Sequence, residues 1–142
     1  MDIYLLVATL SLLVQVIALV LLTAGYVLKR RTKFRQHGLL MFSAVVLHAI
    51  LAFAVMVPSF TIIAFTQTNL SLLIVSTVMV HTAFGIISLV LGIWIVGSWR
   101  LRASLAYCAP KKSIMRITFI LWVIAILIGI IMYFSLYMPL MI

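Results

Sequence analysis

The sequence predicts an all-α integral membrane protein: a four-helix bundle with its N and C termini outside and two basic loops in the cytoplasm. Three observations predict it. Of 142 residues, 68% are hydrophobic and only 8% charged, and the mean hydropathy of +1.43 lies well beyond the apolar share of a water-soluble domain. Four apolar runs each reach the ~20 residues that a helix needs to cross the hydrocarbon layer. All ten Lys and Arg fall into two loops, five in each, against a single acid, Asp2.

The first span covers 3–28. An acid rather than a basic cluster precedes it, and it is too long for the apolar core of a signal peptide, so it is expected to remain uncleaved. The run Lys29, Arg30, Arg31, Lys33 and Arg35 follows as a tight loop, because each charge costs ~2.5 to 3.5 kcal/mol at the centre of a membrane helix. The second span, 37–57, is expected to stop at Pro58, which lacks a backbone donor and keeps its predecessor out of the helical region. Residues 58–69 form an outer connection. The third span, 70–99, ends at the interfacial Trp99, and a loop with Arg100, Arg102, Cys108, Pro110, Lys111, Lys112 and Arg116 leads into the fourth, 117–137. Tyr133 and Tyr137 stand near its outer end. The whole chain, 1–142, reads as one transmembrane domain of a multi-pass cell-membrane protein.

A net charge of +9 would suggest nucleic acid in a soluble protein. In a membrane protein it sets orientation first, and no nucleic-acid partner is expected. A lone cysteine excludes an internal disulfide and any CxxC motif. Without a GxSxG, Walker or HExxH sequence, and with Asp2 as the sole carboxylate side chain, hydrolysis by paired acids and carboxylate metal centres are excluded. Proton-coupled transport loses its usual intramembrane acid. No enzyme activity is expected.

The remaining chemistry lies in three histidines, His37, His48 and His81, on the second and third spans. Imidazole without thiolate or carboxylate partners suits haem iron, copper or zinc. His48 precedes Pro58 by ten residues and His81 follows Asn69 by twelve, so at 1.5 Å per residue both lie roughly 15 to 18 Å below the outer surface. Two imidazoles at one depth on consecutive antiparallel helices could supply both axial ligands of a haem b. On the third span Thr77, His81, Gly85, Ser88 and Gly92 follow one helical stripe, and Gly85 would give a flat ring room beside His81. His37 is a weaker ligand candidate beside the basic run. Met41, one turn from His37, and Met79, two before His81, offer soft sulfur to copper, a weaker reading than haem. The same residues admit plainer roles. Small residues at this spacing mark close helix packing, intramembrane imidazoles hydrogen-bond across a bundle, and Gln15 and Thr23 read as further interhelical hydrogen bonds.

Four features in order resemble the domain-of-unknown-function family 420, small four-span bacterial and archaeal membrane proteins that include a factor needed to mature haem-copper cytochrome oxidases. They are the basic loop leading into His37-Gly-Leu-Leu-Met41, the third span bearing Val80-His81, the second basic loop, and Arg116-Ile-Thr-Phe-Ile-Leu-Trp122 through Gly129 to Met132-Tyr133. The family pattern also has histidines where this chain has Ser59 and Lys111. His37 and His81 carry over by position, whereas His48 is particular to this chain. The resemblance implies a link to respiratory haem or copper enzymes without a defined catalytic step.

Two functions follow as expectations. One is a subunit or assembly factor of a haem- or copper-containing membrane enzyme, connected to electron transport, with a haem b between His48 and His81. The other is a cofactor-free accessory subunit of a larger integral membrane complex. The topology is testable by itself. An impermeant thiol reagent is expected to leave Cys108 unlabelled in intact cells and to label it in inverted vesicles, and labelling from outside would reverse the orientation.

Overall fold

The computed structural model describes residues 3–66, 71–99 and 109–137. Helix α1 spans Ile3–Arg30, α2 Phe34–Leu51, α3 Val57–Thr66, α4 Leu72–Trp99 and α5 Lys112–Tyr137. A π-helical segment, Ala52–Met56, joins α2 to α3, and a 3-10 turn, Ala109–Lys111, precedes α5. Among the described residues, four stretches are long and apolar enough to cross a membrane: α1, α2 running on into α3, α4 and α5. The basic residues Arg100 and Arg102, and Cys108, lie outside the described residues.

The second helix departs from expectation at Pro58. It does not stop there but continues to Thr66. The π segment immediately before the proline is the reason. The Val57 N–H reaches back five residues to the Ala52 carbonyl, and this wider turn accommodates both the missing proline donor and the bulk of its ring. At the other end, α2 begins at Phe34 and α5 at Lys112, so helix extends into both basic segments.

The α1–α2 turn is closed by two backbone bonds, Lys33 N–H to the Leu28 carbonyl at 3.0 Å and Thr32 N–H to the Lys29 carbonyl at 3.1 Å. This pattern requires a left-handed residue after the helix end. Thr32 takes that place at φ 61°, where a β-branched side chain is strained.

Helices α1 and α2 form one closely packed pair and α4 and α5 the other, with α1 also against α5 and α2 against α4. Contacts fix the sense. Tyr26 stacks on Phe119 at 6.1 Å at the basic end, and Thr9 meets Tyr133 at the opposite end, so α1 and α5 run antiparallel. The core consists of Leu22, Ala44, Val45, Leu89, Trp122 and Ile126. Trp122 is 1% exposed and has the largest side chain among the fully buried residues of that core. Small residues admit it. A Cβ on Gly92 would come within 3.1 Å of Val45 and 3.4 Å of the Trp122 ring, whereas one on Gly97 would meet nothing within 4 Å.

Gly92→Leu is therefore expected to destabilise the bundle by more than about 2 kcal/mol, in the range of overpacked cores, and Gly97→Leu by less than about 0.5. Thermal unfolding in detergent micelles distinguishes them, and equal losses would remove Gly92 from the core.

Candidate functional site

The three histidines are buried, and each meets a neighbouring helix. His37 on α2 donates from Nδ1 to the Gly25 carbonyl of α1 at 2.8 Å. His81 on α4 donates from Nδ1 to the Ala125 carbonyl of α5 at 2.9 Å. A backbone carbonyl only accepts, so the proton of the neutral ring sits on Nδ1 and Nε2 keeps a lone pair. The α2–α4 seam holds His48, whose ring is faced by the Gly85 carbonyl of α4. The fourth seam, α1 against α5, carries the 2.8 Å bond between Thr9 Oγ1 and Tyr133 Oη.

Glycine makes two of these approaches. A Cβ on Gly25 would collide with the end of Met41 and lie 3.6 Å from His37 Nδ1. A Cβ on Gly129 would lie 2.9 Å from His81 Cε1 and 3.3 Å from Gln15 Oε1. His81 and Gln15 thus converge over the bare backbone of α5. The spacing of the sequence did not single out Gly129 for this, because the residue it serves lies on another helix.

His48 and His81 engage different levels of α5. His48 packs edge-on against Trp122, with centroids 4.7 Å apart and planes at 75°. His81 bonds at Ala125 and rests over Gly129. Three to seven residues of α5 separate these levels, about one to two helical turns. His37 lies away from both, at the basic end.

The fit of a haem between His48 and His81 can be judged from the packing. Two features suit it: His48 Nε2 is buried without a hydrogen-bond partner, and a methyl on buried Gly85 would meet no atom within 4 Å. Against it, His48 Nε2 is enclosed, Trp122 stands against the ring, and both imidazoles are turned onto α5. A macrocycle in the α2–α4 seam would have to displace Trp122 from its place against His48. For copper, Met41 and His37 come together beside Gly25, but no third strong ligand among the described residues joins them. Met79 is 48% exposed, facing away from the bundle, and among the described residues no three His, Cys, Asp or Glu side chains gather.

Ser88, fully buried, bonds to the Gly85 carbonyl of its own helix at 2.9 Å. Thr23 also bonds within its helix, to the Leu19 and Val20 carbonyls, so it does not tie two helices as its type suggested. Gln15 bonds to Ser11 of its own helix at 3.4 Å while its oxygen faces α5. Trp122 is the functional neighbour that sequence reasoning missed. Its signal was its mid-span position, away from the interfaces where tryptophan concentrates. Its Nε1 is also buried without a partner.

Comparisons with protein families, with curated proteins and with solved structures find no match to this chain.

The seat of His81 on Gly129 is testable by a double-mutant cycle. Gly129→Ala is expected to cost about 1 to 2 kcal/mol in the native background, since the ring must move, and much less in the His81→Ala background. A coupling of about 1 kcal/mol in detergent unfolding would register the contact. Strict additivity would mean that the ring does not rest there.

Proposed function

We propose that the chain is a non-catalytic subunit or assembly factor in the cell membrane, with its basic end in the cytoplasm, working inside a larger integral membrane complex of the haem- or copper-containing respiratory kind. One observation carries this reading. The imidazoles, the side chains best able to do chemistry, face the seams between the protein's own helices, while large apolar side chains stay open on every outer face. Ile3 of α1, Phe53 of the π segment, Leu72 of α4 and Ile131 of α5 are between 61% and 85% exposed. Lipid covers such surfaces, and so do partner helices, which associate through packing and interhelical hydrogen bonds. The respiratory character of the partner is supported by the family 420 likeness around His37, His81 and Arg116 to Trp122.

A second reading is favoured by the unpartnered His48 Nε2 and the open space beside Gly85. Here His48 and His81 would hold a haem b, which would supply electron transfer, and Trp122 would have to leave its place against His48.

Isolation from native membranes in mild detergent, followed by native gel and a reduced-minus-oxidised spectrum, tests both. The expected result is migration in a larger complex, no low-spin haem bands from the separated chain, and unimpaired assembly of His48→Gln. Migration as a free chain would sink the accessory reading. Haem bands lost in both His48→Ala and His81→Ala but kept in His37→Ala would replace it with the second reading.

A further inference from the structure

At the basic end a cleft of about 450 Å³ opens between α1, α2, α4 and α5. Its lining includes Lys29 at the end of α1, Arg116 near the start of α5 and His37 of α2, and is otherwise mostly apolar, with Val45, Ile95 and Phe119 and reaching Trp122 in the core. The two cations have no anionic partner among the described residues. The chain's one acidic residue, Asp2, precedes Lys29 by 27 positions, ahead of an α1 that runs to the opposite end of the bundle. Two nearby cations are otherwise engaged. Arg30 lies over the Tyr26 ring at 6.0 Å, and Lys111 bonds to Ser98 and lies over Trp94 at 5.8 Å.

We propose that this cleft binds one anionic phospholipid, with its phosphate against Lys29 and Arg116 and the upper part of an acyl chain along Phe119, Ile95 and Val45. Charge complementarity identifies the head, because positive charge at a membrane surface with no internal counterion draws anionic lipid. The apolar walls identify the tail, since a soluble anion would leave them uncovered. Lys29 is half-buried and Arg116 exposed, so the head-group contact lies at the water interface, where salt weakens it, and the apolar walls below it distinguish the cleft from an exposed basic loop.

The test is native mass spectrometry of the full chain released from vesicles of equimolar phosphatidylglycerol and phosphatidylcholine. The wild type is expected to retain one phosphatidylglycerol in preference to phosphatidylcholine. The Lys29→Gln/Arg116→Gln variant should lose that preference by about tenfold, and Arg116→Lys should keep it. Arg31→Gln/Lys33→Gln removes equal charge from the same end but outside the cleft, and is expected to behave as wild type. Equal losses in the two double variants would reduce the effect to general surface attraction and overturn the proposal. Absence of any preference in the wild type would do the same, as would displacement of the lipid by inorganic phosphate alone.

Discussion

The structure depends on the hydrogen bond from an imidazole N–H to a main-chain carbonyl on the next helix. Lipid tails are as apolar as leucine, so transmembrane helices have little hydrophobic reason to prefer one another, and close packing with a few polar bonds must set their order. Here His37 bonds α2 to α1 and His81 bonds α4 to α5, the two most closely packed pairs. Each such bond gives the ring's proton a partner that water would otherwise supply. It also fixes the tautomer, leaving Nε2 as the nitrogen able to accept or ligate. Structural ties and metal ligands therefore share one geometry up to this point. The difference lies in what surrounds Nε2.

At His48 those surroundings are Trp122. An indole at the centre of a membrane bundle brings a large apolar surface together with one donor, and here that donor is left without a partner beside an equally unpartnered imidazole nitrogen. Two unmatched polar atoms in the driest part of the molecule are costly. The open space at Gly85 of α4 lies on the same seam as His48. The π segment lies just beyond His48 on its own helix, so irregular backbone and unmatched side chains occur close together along α2.

The two ends of the bundle differ in kind. One carries cations that have no counterion among the described residues, partly held by aromatic faces and a serine hydroxyl. The other carries hydroxyls, such as the Thr9 and Tyr133 pair. The basic end gives the molecule an electrostatic direction that its apolar middle lacks.

The sequence by itself determined the four stretches long and apolar enough to cross a membrane, because about twenty predominantly apolar residues in a row favour hydrocarbon over water, and it determined the two basic segments that bound them. It also marked the three histidines as the residues to explain. The end of the second helix was not legible, since a proline removes one donor whatever its setting, and only the wider turn before it keeps the helix going to Thr66. Nor could spacing say which helix each imidazole would meet. A histidine on a helix in a bundle lies within reach of more than one neighbour, and its direction follows from where a glycine or a small residue lets a backbone come close. Gly25 does this for His37 and Gly129 for His81. Those glycines lie 12 and 48 positions away in the chain, so only the packing of one helix on another could pair them.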